Sequence, residues 1–410
     1  MNVKRTELLK ALKQCLPGIE SGTAVLEGAD YFIFNDGYVH SYNDVMSVSV
    51  PVKSEGLLDA SIKGAVRAEE FFAIINKFNG ELIEFTAEKE KWVLKSGKAQ
   101  AELTLMAGDF TGRFKAIAPD KKKWQDLPPE FAQGLGVCRM ANNKNAISGI
   151  FITEKEIMSS DGFQINCFNY KGPAIEENIW ISDASAVELL KIGMLSHIQV
   201  NGSWVQFKTN DNMVLSVKTM QAEKWPYGKL LRVLDIHKKN DKDVSAVFPK
   251  ELFDAIDRAA SFYLDILDSK AVRLEISQKE IKVSAERAAG KYNEIVDWKV
   301  PPPEFKTFEL FVDTNMMLFA GRRSMSFYIR ESDEKGDVPR LIFVTNNSIH
   351  IMSTLSKDDI VEIKLKGKLV IERKKEKPSK EPDSEEYDEE YENEPDTGDF
   401  DDEEYEEDDD

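Results

Sequence analysis

Eight basic side chains recur at comparable places along this 410-residue chain, and they are the residues whose pattern points most clearly to chemistry. Lys10 and Lys13 fall on the polar side of a first amphipathic stretch, Arg139 and Lys144 on or just after a second, and Arg258 on a third. Lys191 and the pair Arg322 and Arg323 lie in or just after a further set of short helical stretches. Ammonium and guanidinium groups held near phosphates give a salt-dependent attraction that does not read bases. That is binding chemistry. No stripe of aromatic and basic residues marks a platform for stacking single-stranded bases.

Bond-making chemistry finds little in the sequence. His40, His197, His237 and His350 are scattered, and none stands at metal-ligand spacing with Cys or carboxylates. There is no glycine-rich phosphate loop and no nucleophile elbow. Asp36 and Asp161 each precede a glycine and read as turn formers. The expectation is no catalytic residue, no metal and no cofactor. Cys15, Cys138 and Cys167 are odd in number, far apart and set in apolar contexts, the pattern of reduced core thiols in the cytoplasm. No apolar run approaches the roughly 18 residues of a membrane span, and the N-terminal residues lack a signal-peptide core.

The elements that carry the basic residues repeat with a spacing of about 120 residues, too long for a solenoid unit of roughly 20–50. Each repeat reads as an amphipathic helix, alternating strands, a second short helix and more strands, an α+β pattern. In the first, Leu8, Leu9, Leu12 and Cys15 share a helix face. Tyr31–Phe34 and Tyr38–Tyr42 flank Asn35-Asp36-Gly37, a hairpin signal. The second begins its helix after Pro128-Pro129, with Phe131, Leu135 and Cys138 inward, and Ser182 caps its later helix. The third places its helix over Lys250–Ala260 and its later one over Asp313–Ala320. Asp109–Arg113 and Lys224–Lys229 read as junctions, followed by polar linkers at Lys121–Lys123 and His237–Lys242. The expected domains are residues 1–120, 121–243 and 244–355, with a strand-like extension over 356–373 and a disordered tail over 374–410.

Charge divides along the same lines. The net charge is −19, yet residues 381–410 hold 20 Asp or Glu and no Lys or Arg, so residues 1–380 are nearly neutral. A segment of that composition buries too little apolar surface to offset its ordering entropy. On a flexible tether it could visit a positive surface of the body and mimic nucleic acid.

Taken in order, these features resemble the bacterial DNA polymerase sliding clamp, the beta subunit of the replicative polymerase. The resemblance covers residues 1 to about 355. It rests on the three repeated units, on Ser160-Asp161-Gly162, on Trp225-Pro226-Tyr227, and on a last strand from Ser348 to Leu355. It implies three clamp domains per chain, each two helices on antiparallel sheets, and a homodimer closing a six-domain ring. Helices would line the hole, so the eight basic residues would face double-stranded DNA. The implied function is a cytoplasmic, non-catalytic processivity factor with DNA polymerase and a clamp loader as partners and no membrane. Partner peptides would enter a groove between the second and third domains, lined by Ser160, Gly162, Phe163 and Ile165 on one side and by Ile349, Ile351, Met352 and Leu355 on the other. The family's Thr-Asp-Gly-His-Arg-Leu stretch here reads Ser-Asp-Gly-Phe-Gln-Ile, and its final Met-Pro-Met-Arg-Leu reads Ile-Met-Ser-Thr-Leu, with residues 356–410 beyond. Divergence of this kind suits a bacteriophage version. The competing reading is a single-stranded DNA-binding protein whose acidic tail recruits partners; a third, an enzyme built on the repeats, lacks residues to carry it.

Overall fold

The computed structural model describes residues 1–20, 26–52, 62–88, 90–107, 123–140, 149–173, 175–241, 243–263, 271–287, 290–298, 305–331, 338–355, 360–365 and 368–373, with the backbone alone for 360–373, Tyr263 and Arg287. Lys144, Lys121, Lys122, the junction Asp109–Arg113 and the acidic tail lie outside the described residues.

One ten-element order occurs three times. The first copy runs β1 (Asn2–Lys4), α1 (Arg5–Cys15), β2 (Tyr31–Asn35), β3 (Tyr38–Tyr42), β4 (Met46–Pro51), β5 (Gly64–Arg67), α2 (Ala68–Lys77), β6 (Leu82–Ala87), β7 (Lys91–Ser96) and β8 (Ala99–Thr104). The second runs β9 (Gln125–Asp126), α3 (Phe131–Cys138), β10 (Ile150–Ile152), β11 (Glu156–Ser160), β12 (Gln164–Asn169), β13 (Ile179–Ile181), α4 (Asp183–Ile192), β14 (Leu195–Asn201), β15 (Trp204–Thr209) and β16 (Val214–Lys218). After it comes α5 (Tyr227–Ile236). The third runs β17 (Ala246–Val247), α6 (Lys250–Ala260), β18 (Ala271–Ile276), β19 (Glu280–Arg287), β20 (Gly290–Asp297), β21 (Phe308–Asp313), α7 (Thr314–Gly321), β22 (Ser326–Arg330), β23 (Arg340–Val344) and β24 (Ser348–Ser353). β25 (Ile360–Leu365) and β26 (Lys368–Arg373) pair with each other as a two-stranded antiparallel sheet.

Local chemistry explains the elements. Asp36 and Gly37 take φ of 51° and 75°, the two positive values that a tight β2–β3 turn requires. The Ser182 hydroxyl accepts from the Ser185 amide and starts α4; the Asp313 carboxylate does the same for the Met316 amide in α7. Gly134, in the interior of α3, would as alanine drive a Cβ to 2.7 Å from Phe168 and 2.8 Å from Ile157, so its absence of a side chain lets the helix press onto β11 and β12. Each pair of helices packs together within its unit: α1 on α2, α3 on α4, α6 on α7.

The sheets join the units edge to edge. β4 pairs antiparallel with β16, making one eight-stranded sheet from the first and second units. β12 pairs with β24 in the same way, joining the second and third. Two four-stranded sheets are left, β1-β6-β7-β8 and β20-β19-β18-β21. By position in the repeat, β8 corresponds to β16 and β24, and β20 to β4 and β12; yet among the described residues β8 and β20 are edges. The first two units share one continuous core, whereas the third has its own.

The structure corrects the reading of Lys224–Lys229. They were expected to be a junction, but α5 starts within them at Tyr227 and runs on to Ile236, with Leu230 and Leu234 buried. Pro226 is the N-cap and Gly228 sits in the first turn, so breaker residues masked a helical spacing.

Candidate nucleic-acid interface and inter-unit seam

Seven of the eight basic residues fall among the described residues, and three of them converge. Lys10 and Lys13 project from α1 and Lys191 from the end of α4, around a cleft of 790 Å³ between the first and second units. Leu9, Leu16, Pro17 and Ile192 give that cleft an apolar floor. Lys191 Nζ lies 2.7 Å from the Glu188 carboxylate, also in the cleft. Among the described residues, neither Lys10 nor Lys13 has an ion-pair partner.

The other four are arranged differently. Arg139 and Arg322 are exposed, the first just past α3 and the second at the end of α7. Arg323 is turned inward: its Nη2 donates to the carbonyls of Gly136 at 2.9 Å and Arg139 at 2.6 Å, and its guanidinium lies 3.3 Å from the centre of the Phe319 ring. Burial, reinforced by the neighbouring Arg139 charge, pulls its pKa down to about 10. Arg258 is exposed but engaged, its Nε 3.1 Å and its Nη2 2.6 Å from the two oxygens of Glu294. That fork holds the Glu294 carboxyl below the usual range and leaves Arg258 little charge to offer a phosphate.

Where the second and third units meet, Ile165 stands directly opposite Ile351, and Cys167 opposite Ile349, across β12 and β24. These side chains belong to an apolar layer with Phe151, Trp225, Leu230 and Leu234, so α5 covers the outer face of the shared sheet. Trp225 stacks on Phe151 at 5.4 Å and meets Trp180 edge-on at 5.3 Å. Met352 was grouped with Ile349 and Ile351, but strand alternation turns it to the opposite face, where it is buried in the third unit's core. Leu355 leads away: its amide donates to the Phe311 carbonyl at 2.7 Å. Gly162 and Phe163 lie at the exposed turn, Phe163 40% exposed, while Ser160 is buried.

A buried polar chain fixes that turn. Asp161 Oδ1 accepts from the amides of Phe163 and Gln164, both at 2.9 Å, and its Oδ2 accepts from Gln164 Nε2 at 2.7 Å. Gln164 Oε1 in turn lies 3.0 Å from His350 Nε2 on β24. Burial, with the nearby Arg323 charge, pulls His350 down to about 3, so the imidazole is neutral. The C-terminal end of α5 is tied across the same seam. Arg330 donates to the carbonyls of Ile236 and Lys238 and pairs with Asp243, and Tyr328 donates to the His237 carbonyl at 2.5 Å. Tyr328 and Arg330 were not among the residues expected to matter, and Trp225 had entered only as part of the Trp225-Pro226-Tyr227 stretch, without a site role; the helical recurrence of Tyr227, Leu230 and Leu234 was the available signal for its place in the seam.

Burial raises all three thiols well above the ordinary cysteine value, which removes their nucleophilic form. Among the described residues no cluster of His, Cys, Asp and Glu is set to hold a metal, and no helix is long and apolar enough to cross a membrane.

No protein-family model matches the sequence, and no curated protein matches it significantly. Solved structures do match. The DNA polymerase III beta chain of Streptococcus pneumoniae superposes with a TM-score of 0.71 at 14% identity, over 87% of this chain and 99% of that one. The DNA polymerase sliding clamp of Bacillus subtilis gives 0.70 at 15% identity, over 87% and 98%. The Helicobacter pylori beta clamp bound to a DNA ligase peptide gives 0.69 at 12% identity, over 87% and 99%. The three repeated units, their edge-to-edge sheets and these superpositions together establish that the chain has the fold of the bacterial DNA polymerase sliding clamp.

Proposed function

We propose that this protein is a DNA sliding clamp, a processivity factor that encircles duplex DNA and tethers a replicative polymerase, and that it has no catalytic activity of its own. The observation that carries the reading is the pair of unmatched sheet edges. Within the chain, β4 takes β16 and β12 takes β24. The equivalent join would pair β20 of one copy with β8 of another, and making it in both directions closes two chains head to tail into a ring of six units. The domain limits near residues 120, 243 and 355 belong to this reading.

The geometry suits that task. A closed ring holds DNA by topology, so contacts inside it need only be weak and mobile. Lys10, Lys13 and Lys191, with Arg139 and Arg322, supply phosphate attraction without base readout. The nearly neutral body follows, because tight binding would impede sliding. The polymerase and the clamp loader are the proposed partners, engaged through a groove beside the β12–β24 seam where Gly162, Phe163, Ile165, Ile349 and Ile351 lie. The H. pylori neighbour's bound DNA ligase peptide supports peptide capture as the mode.

The test is retention on nicked circular DNA before and after linearisation, together with sedimentation of the free protein. Expected is a dimer that stays on circles and runs off linear ends. A strict monomer at micromolar concentration would sink the reading. Equal retention on both DNA forms, with a fixed site size on single strands, would favour the single-stranded DNA-binding alternative.

A further inference from the structure

We propose that residues 381–410 of this same chain dock in the α1–α4 cleft and there exclude DNA. The cleft has two chemistries side by side. Its rim carries the ammonium groups of Lys10, Lys13 and Lys191, the first two without carboxylate partners among the described residues. Its floor is apolar, from Leu9, Leu16, Pro17 and Ile192, with Leu16 39% exposed. A phosphate backbone uses the rim and leaves the floor wet. An aromatic ring flanked by carboxylates uses both, adding apolar burial and contacts between lysines and the ring face to the ion pairs.

The C-terminal segment has that pattern repeatedly. Tyr387 sits between Glu386 and Asp388, Tyr391 between Glu390 and Glu392, Phe400 between Asp399 and Asp401, and Tyr405 between Glu404 and Glu406. Glu188 offsets one of the three cleft lysines, leaving a positive rim for a segment that has 20 Asp or Glu and no Lys or Arg. The tether is long: the 32 residues from Arg373 to Tyr405 extend up to about 110 Å. Tethering raises the local concentration to the order of millimolar, so a weak site suffices. Screening then makes the contact salt-labile. The docking itself does not depend on the clamp reading; only the competition with DNA rests on it.

The test uses the full chain. Zero-length carbodiimide cross-linking at low salt, followed by peptide mapping, should join tail carboxylates to Lys10, Lys13 and Lys191. The links should fall at least fivefold in the triple variant Tyr387→Ala, Tyr391→Ala, Tyr405→Ala and at high salt. Equal yields at exposed lysines elsewhere, such as Lys98, Lys229 and Lys279, would overturn the proposal. So would links formed only between isotopically distinct copies, because the docking is then not within one chain. In the second arm, the tyrosine variant should bind a short linear duplex roughly fivefold more tightly at low salt, the gap closing as salt rises; unchanged affinity overturns the competition. Retention on nicked circles, measured on the same variants, keeps the two readings apart. Scattered links with retention intact sink the docking alone, and specific links without retention sink the clamp.

Discussion

The two seams inside the chain are built from the same parts and held in different ways. At the seam between the first and second units, β4 meets β16 and the cores of both units merge into one cluster. The third unit keeps a separate core, so the seam at β12 and β24 depends on added devices. These are the α5 layer on one face, the Arg323 Nη2 bonds to the end of α3, and the polar chain from Asp161 through Gln164 to His350. A merged core needs no specific tie, which leaves the helix surfaces at the first seam free to carry Lys10 and Lys13, without ion pairs among the described residues. The second seam spends its arginine and its aromatic residues on holding itself together, and it becomes the face with a defined shape.

The largest effect that separates the seams is expected from Trp225→Ala. The indole is buried between Phe151 and Trp180, and removing it should cost about 3–5 kcal/mol. The loss should localise. Hydrogen exchange should quicken in α5, β12 and β24 while β4 and β16 keep their protection. Uniform loosening of both seams would mean that the chain is one cooperative block.

Acid should find the same weak place. His350 titrates near 3 when folded, well below its ordinary value near 6.5. A depressed histidine pKa means that the unfolded state takes up the proton first, so the contribution to stability is complete above pH 6.5 and falls by about 1.4 kcal/mol per unit below it. His40, in β3 beside the first seam, is also pulled down by burial, to about 4. His350→Gln and His40→Gln should each flatten the loss measured by denaturant unfolding between pH 6 and 4, and only His350→Gln should slow the acid-induced hydrogen exchange of β12 and β24. Unchanged exchange at β12 and β24 would remove the second seam's acid sensitivity.

Arg323→Ala is expected to be milder, about 1–3 kcal/mol, because the carbonyls of Gly136 and Arg139 lose a charged donor but gain access to water. Lysine should rescue little of this, since an ammonium lacks the planar guanidinium face that lies against the Phe319 ring while Nη2 reaches both carbonyls. Full rescue by lysine, read from thermal unfolding, would reduce the tie to simple charge.

How far these differences could be read from sequence follows their physics. Periodic burial and turn chemistry are local, so the helix over Lys250–Ala260, the Asn35-Asp36-Gly37 hairpin and the Ser182 cap were all legible. α5 was not, because Pro226 and Gly228 punctuate its start and its register is completed by distant partners, Phe151 and Arg330. Which of two adjacent arginines faces outward is also a tertiary matter. Arg322 and Arg323 look alike in the chain, yet only Arg323 finds carbonyls and a ring to sit against. Met352 was misplaced for a simpler reason: alternation along β24 puts it across the sheet from Ile351.

The smallest stability effect carries the sharpest functional contrast. Lys10→Ala and Lys13→Ala sit on an exposed helix face without ion pairs among the described residues, so each should change stability by less than about 0.5 kcal/mol. Each lysine that meets a phosphate should nevertheless contribute roughly one unit to the slope of log affinity against log salt for duplex DNA. The double variant should therefore lose close to two units of slope while its melting temperature stays put. Arg258→Ala makes the control, because its guanidinium is already held by Glu294. Its removal should disturb the slope little and destabilise the third unit slightly. If Arg258→Ala flattens the slope as much as the lysine pair, then recurrence along the sequence outranks pairing in space, and the division of labour between the seams fails.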